Sequence, residues 1–147
     1  IEKFDLKEVI ESVVRLYATH PNLEINWTHP SEETYINADR VQMNRLLTNL
    51  LKNAVEARTG TDIAVRVDII LDRKDDRLLL SIRDNAGGIP EQMRDNIFTP
   101  NFTTKSSGTG LGLAICKGIV EKANGTIWFE TYEGEGTIFF VEIPSVA

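Results

Sequence analysis

The spacing of hydrophobic positions changes several times along the chain, and each change marks an element. From Asp5 to about Ala18, Leu6, Val9, Ile10, Val13, Val14 and Tyr17 recur at three- and four-residue intervals, which predicts a helix with one buried face. Asp5 with Glu8 forms a capping box at its start, and Pro21 ends the region. Leu23, Ile25 and Trp27 then alternate with polar residues as a short strand over Leu23 to Thr28. Thr34 to Ile36 supplies a second strand, with His29-Pro30-Ser31-Glu32-Glu33 as the turn between them. A longer helix is predicted from about Asp39 to Ala57, where Val41, Met43, Leu46, Leu47, Leu50, Leu51 and Ala54 are apolar.

Ile63, Val65, Val67, Ile69 and Leu71 alternate, as do Leu78, Leu80 and Ile82, and Asp72 to Asp76 joins them as an antiparallel hairpin. From Asp84 to Gly110 no period is strong, Gly, Pro, Asn, Ser and Thr abound, and at most one short helix follows Pro90. A stretch of that length in a small chain reads as a functional lid or binding loop. Leu111 to Ala123 is apolar nearly all round, predicting a buried helix closed by a left-handed cap at Asn124-Gly125. Thr126 to Tyr132 and Thr137 to Ile143 form a last hairpin across Glu133-Gly134-Glu135-Gly136. Hairpins dominate, so the expected class is α+β: a two-layer sandwich whose mixed, mostly antiparallel sheet is covered on one face by about three helices.

Composition narrows the function. The 147 residues make one domain's worth of sequence, expected to span 1–147 as a single unit. Sixteen Lys+Arg against 22 Asp+Glu leave a net charge of −6, which argues against nucleic acid or an anionic membrane surface as partner. A small phosphorylated ligand needs only a few local donors and stays open. With 41% hydrophobic and 26% charged residues, disorder and disulfide-stapled architectures are excluded. The single cysteine, Cys116, can form no intrachain disulfide and reads as a small buried hydrophobe. No apolar stretch reaches the roughly 18–20 residues of a membrane span, and no signal-peptide core is present. The chain starts at Ile1 rather than Met and is read as a fragment of a longer protein.

Four segments carry candidate chemistry. On the long helix, Gln42, Asn49, Asn53 and Glu56 form a polar stripe beside the Leu46/Leu50/Ala54 face, and Asn49 and Asn53 stack one turn apart. Two such amides can ligate a hard cation through oxygen or orient a phosphate, although alone they read first as a solvated helix margin. Asp84-Asn85-Ala86-Gly87-Gly88-Ile89-Pro90 sets a carboxylate at a strand end before two glycines, where a ligand can approach the backbone; alone, it is also an ordinary strand-ending turn. Lys105 through Leu113 places Gly108, Gly110 and Gly112 at a helix start, an anion site by its N–H groups and dipole. Its spacing is neither that of the dinucleotide fingerprint nor that of a P-loop. Gly134-x-Gly136-Thr137, by itself, is a hairpin turn.

In sequence order these four segments, together with Phe98 through Lys105, resemble the N, G1, F, G2 and G3 boxes of the catalytic and ATP-binding domain of bacterial sensor histidine kinases. That domain shares a superfamily with gyrase, the ninety-kilodalton heat-shock chaperone and mismatch-repair ATPases. The resemblance runs from Phe4 to Pro144, and Phe98 through Lys105 is close to the Phe-x-Pro-Phe-Phe-Thr-Thr-Lys form of the F box. With Glu56-Ala57 after the second Asn, the chain is similar to the nitrogen-regulation branch.

The resemblance implies a Bergerat-type α/β sandwich that binds Mg²⁺-ATP and passes the γ-phosphoryl group to a histidine of an adjoining dimerisation domain. By the same resemblance Asn53 would bind Mg²⁺, with Asn49 and Glu56 on the phosphate side. Asp84 would accept from the adenine amino group, Gly88 and Ile89 would contact the purine, and Thr137 would support the adenine side. Lys105, Gly108, Thr109, Gly110, Leu111, Gly112 and Leu113 would hold the phosphates, with about 91–109 as a lid, and Asn49 and Lys105 would act at the reacting group. The implied partners are the chain's own upstream helices and a response regulator, with no nucleic acid or direct membrane contact. The implied site of action is cytoplasmic, with the anchoring of the parent protein left open. His20 and His29 lack the His-Glu/Asp context of a phosphoacceptor, which is expected upstream. Ala86 stands where the family has the first G1 glycine; its methyl is tolerable if φ is negative. Two other readings stand beside this one. A degenerate nucleotide-binding regulatory module draws support from Ala86. A self-contained ATPase of the superfamily would want a Glu base where Asn49 stands.

Overall fold

The computed structural model describes residues 1–21, 23–56, 64–86, 88–89, 91–99 and 112–146. Its elements are β1 (Glu2–Asp5), α1 (Leu6–Tyr17), β2 (Leu23–Thr28), β3 (Tyr35–Ala38), α2 (Arg40–Glu56), β4 (Val65–Lys74), β5 (Arg77–Asp84), a 3-10 turn (Glu91–Asn96), α3 (Gly112–Lys122), β6 (Thr126–Tyr132) and β7 (Gly136–Pro144). Five strands form one sheet in the order β2-β4-β5-β7-β6, with β2 parallel to β4 and every other pairing antiparallel. The three α-helices pack on one face, as the hairpin-rich pattern predicts: α1 over β2, α2 over β4 and β5, α3 over β6, and α2 against both other helices. No helix among the described residues is long and apolar enough to cross a membrane.

The helix-facing side of the sheet is built in cross-strand rows. Leu71, Leu80, Val141 and Ile127 make one row, and Trp27, Ile69, Ile82, Phe139 and Phe129 the next. These side chains meet Met43, Leu46, Leu50 and Leu51 of α2 and Ile119 and Val120 of α3 in one continuous core. The following row, Ile25-Val67-Asp84-Thr137-Thr131, turns polar in its last three positions.

Three expectations need correction. The Leu23 and Thr34 strands, read as joined by a turn at His29–Glu33, do not pair with each other: β3 pairs with β1 in a separate ribbon, while β2 joins the main sheet beside β4. Pro30 has no N–H with which to extend a ladder, and the segment is taken up by α1 instead. Leu6 N–H donates to the Thr34 carbonyl at 2.9 Å, and the Thr34 hydroxyl donates to the Asp5 carboxylate. Strand β1 was invisible to periodicity because it is four residues long, yet Phe4 faces Ile36 and is only 4% exposed. Asp5 does cap α1, through Lys7 N–H at 3.1 Å, while Glu8 lies 3.8 Å from Arg40 rather than closing a box.

The second correction is the β4–β5 turn, which has only Asp75 and Asp76 outside the strands, Asp75 adopting φ 55°. Asp accepts the left-handed region better than most residues, so the ladder runs on through Lys74–Arg77. Third, α3 is not buried all round. Cys116, Ile119 and Val120 are buried, whereas Lys117, Glu121 and Lys122 are exposed. Asn124, at φ 62°, closes it as expected.

Cys116 is fully buried, its thiol directed at the Leu46 carbonyl 3.9 Å away. Burial pushes the thiol pKa up from 9.0 to about 12, against a lesser opposing effect from the Asn49 amide. Between those values the unfolded chain releases a proton that the folded chain keeps, so this contribution to stability is intact below pH 9.0 and lost as pH rises toward about 12. The difference in unfolding free energy between the protein and Cys116→Val should therefore shift toward the variant over that range in urea titrations. A thiol reagent should modify Cys116 only after denaturation; prompt reaction of the folded protein would contradict the packing.

Candidate functional site

The site begins where the sheet's inner face stops being apolar. Asp84 closes β5 between Val67 and Thr137, and at 6% exposure it is a buried carboxylate. Its Oδ1 accepts the Ala86 N–H at 2.9 Å, an Asx turn that bends the chain away from the ladder. Asn85 ties the same bend to the head of β4: its Oδ1 accepts Arg66 N–H at 2.8 Å and its Nδ2 donates to the Ala64 carbonyl at 3.3 Å. Ala86 is buried, and among the described residues only Asp75 and Asn124 combine a side chain with positive φ. The methyl in the first G1 position therefore costs no left-handed strain.

Two glycines let backbones close around this end. A Cβ on Gly136 would stand 2.0 Å from the Asp84 carbonyl oxygen, and one on Gly88, at φ 84°, would stand 2.7 Å from the Tyr132 carbonyl. The loop bearing Gly88 and Ile89 is held by two side chains that sequence patterning did not single out. Thr131 accepts the Ile89 N–H at 2.8 Å and lies 2.9 Å from the Thr137 hydroxyl. Arg94, in the 3-10 turn, donates from Nε to the Ile89 carbonyl at 3.1 Å. The signal for Thr131 was a hydroxyl two positions from Phe129 on the inward side of an alternating strand. Behind the loop, Phe98 packs against Phe129 and Phe139, with ring centroids 6.1 and 6.4 Å away.

On the helical layer, Asn49 and Asn53 are half-buried one turn apart on α2, as spacing predicts. Asn49 reaches the Cys116 thiol across the α2–α3 contact. Gln42, at the head of the same stripe, is separated from them. It lines a groove of about 480 Å³ between α2 and α3 with Asp39, Arg45 and Lys122. Gly112 opens α3 and is half-buried, and Leu113 packs on the core. Lys105, Gly108, Thr109, Gly110 and Leu111 lie outside the described residues, as does the side chain of Glu56. His20 and His29 are exposed; each ring Nδ1 pairs with the carbonyl of its neighbouring proline, at 2.8 and 3.0 Å.

Of the two hairpin glycines, one carries backbone strain alone and the other, at φ 137°, strain together with collision. Gly134, at φ 80°, has open space where a Cβ would go, whereas Gly136 meets the Asp84 backbone. In urea unfolding, Gly134→Ala should lose about 1 kcal/mol and Gly136→Ala at least about 2 kcal/mol. Equal losses would mean that Gly136 does not set the close approach to β5.

Comparison with known proteins agrees with this architecture. The family described as "Histidine kinase-, DNA gyrase B-, and HSP90-like ATPase" matches residues 38–147. Sporulation kinase A of Bacillus subtilis is 35% identical over 148 residues, covering 97% of this chain and 24% of that protein. Sensor histidine kinase ZraS of Salmonella typhimurium is 32% identical over 152 residues, covering 100% of this chain and 32% of that protein. The chain thus spans less than a third of the length of these relatives. Among solved structures, the nucleotide-free catalytic domain of histidine kinase ThkA superposes with a TM-score of 0.84 at 33% identity, covering 97% of this chain and 94% of that one. ThkA in complex with the response regulator TrrA gives 0.80 at 30% identity, covering 98% of this chain and 41% of that one. The chain therefore belongs to the histidine kinase-, DNA gyrase B- and HSP90-like ATPase family, with the α+β fold of a histidine kinase catalytic domain.

Proposed function

We propose that the chain binds Mg²⁺-ATP and donates the γ-phosphoryl group to a histidine on an adjoining dimerisation domain, from which a response regulator takes it. The observation that carries this reading is Asp84, a buried carboxylate at a strand end, directly across the ladder from Thr137. A carboxylate there is an acceptor suited to the 6-amino group of adenine, and the glycine-permitted approach of Gly88 to β6 leaves a thin wall for a planar base. Asn49 and Asn53 would face the phosphates, with Glu56, Lys105 and the Gly108 to Gly112 segment completing that side.

Among the described residues no three of His, Cys, Asp and Glu gather to hold a metal. The amide oxygen of Asn53 fits Mg²⁺, which takes one or two protein oxygens and otherwise water and substrate phosphate. When bound, the ion supplies charge neutralisation on the phosphate oxygens. The Asn49 amide can orient a phosphate but cannot take a proton from water, which favours transfer to a protein acceptor over hydrolysis. Residues 1–147 would form one such domain, with about 91–109 as its lid and the phosphoacceptor helices elsewhere in the parent protein. The F-box form Phe98 to Lys105 and Glu56-Ala57 support the nitrogen-regulation branch. ThkA's complex with a response regulator supports that class of partner. A cytoplasmic position for the domain fits a reaction that draws on ATP, with the parent protein anchored in the inner membrane or free.

Calorimetry with a non-hydrolysable ATP analogue, with and without Mg²⁺, tests the reading on this chain and on Asp84→Ala. Binding should depend on Mg²⁺ and weaken at least about tenfold in the variant. Equal affinity in the two proteins would remove the adenine from the end of β5, and no binding by either would overturn the reading.

A further inference from the structure

The hydroxyl of Thr131 stands at the junction of three groups, and counting its one proton and its lone pairs shows what it does. It accepts from Ile89 N–H at 2.8 Å. Its own proton can go to the Thr137 hydroxyl at 2.9 Å or to the Gly136 carbonyl at 3.3 Å. When the proton goes to Thr137, the Thr137 oxygen is already an acceptor, and the Thr137 proton is left to donate elsewhere. Both arrangements keep the 2.9 Å contact between the two hydroxyls, and an acceptor atom of a ligand beside Thr137 selects the one in which Thr131 donates.

We propose that Thr131 is a positioning residue for base recognition: it pins the main chain of Ile89 and sets Thr137 as a hydrogen-bond donor toward the purine. This rests on the reading that the base lies beside Asp84. The geometry gives it force. Asp84, Thr137 and Thr131 occupy one cross-strand row on the inner face of the sheet, so an acceptor and an oriented hydroxyl sit side by side. Adenine offers a donor at position 6 next to a bare ring nitrogen at position 1. Hypoxanthine reverses both, with a carbonyl at position 6 and an N–H at position 1. A carboxylate beside a hydroxyl held as donor fits the first base and opposes the second.

Thr131 also holds the loop from the sheet side while Arg94 holds it from the 3-10 turn. Ile89 thus has both its N–H and its carbonyl engaged by side chains. Gly88, one residue earlier, is pressed against the Tyr132 carbonyl and the Thr131 hydroxyl, at 2.7 and 3.1 Å from where its Cβ would stand. The hydroxyl that ties Ile89 of this loop to β6 is thus the same one that orients Thr137.

Selectivity between ATP and ITP, measured by calorimetry with Mg²⁺ on the whole chain, tests the proposal. Thr131→Val keeps the shape and removes the hydroxyl; it should narrow the ATP-over-ITP preference about 5- to 10-fold, the worth of one hydrogen bond. Thr131→Ser should restore it. In a Thr137→Val background, Thr131→Val should have no further effect on the ratio. A merely structural Thr131 would weaken both nucleotides equally and leave the ratio unmoved, which would overturn the proposal. Asp84→Asn separates the proposal from the reading beneath it. If the ratio shifts in Asp84→Asn but not in Thr131→Val, the base is where it was placed and Thr131 does not position it. If Asp84→Asn leaves the ratio unchanged, the placement of the base itself fails.

Discussion

The register between β5 and β7 is the constraint from which the rest follows. Pairing Asp84 with Thr137 also pairs Ile82 with Phe139, Leu80 with Val141 and Leu78 with Ile143. The apolar rows are what fix that alignment, because side chains alternate across a sheet and a slip by one residue would turn every one of them to solvent. Asp84 is thus carried to the inner face by the burial of three apolar neighbours on the same strand. A carboxylate would not choose such a place for itself. The Asx turn to Ala86 then satisfies part of its capacity as the chain leaves the ladder. Core and site are one alignment of two strands, read from opposite ends.

The helical layer repeats this economy. Met43, Leu46, Leu50 and Ala54 are buried along α2, while Asn49 and Asn53 lie on its margin, half-buried. Because the asparagines share a rigid helix with the core residues, their spacing is held by the same contacts that hold the domain together. Cys116 shows how tightly α3 is seated on that helix, with its sulfur against the Leu46 carbonyl and the Asn49 amide.

What could be read from sequence divides along physical lines. Helices α1 and α2 and the strands of both hairpins were legible, because burial of one face imposes a period on a single segment. The pairing of β2 and β3 was not, since a partner strand from elsewhere leaves no mark on local alternation. The fate of β3 was decided by Phe4 and the Asp5 cap, more than twenty-five residues away in sequence. Around the end of β5, Asp84, Gly88, Gly136 and Thr137 were conspicuous in sequence, because acidic and glycine residues at strand ends stand out. Thr131 was not, because threonine is an ordinary strand residue and its importance comes from who its neighbours are. Arg94 was hidden for a similar reason: a charged side chain in an aperiodic stretch looks solvated until a carbonyl is found beside it.

The outer face of the sheet offers something different. Trp128 and Phe140 stack there with ring centroids 5.3 Å apart and an interplanar angle of 17°. They bridge β6 and β7, the strands that carry Thr131 and Thr137 on the opposite side. Trp27, the other tryptophan of the chain, sits on the far edge strand with its ring against His29 at 5.2 Å. The molecule therefore carries two indole fluorophores at the two edges of one sheet. One lies on the hairpin that carries Thr131 and Thr137, and the other on the strand at the opposite edge. In a Trp27→Phe variant, emission would come from Trp128 alone and would report on that hairpin without a label.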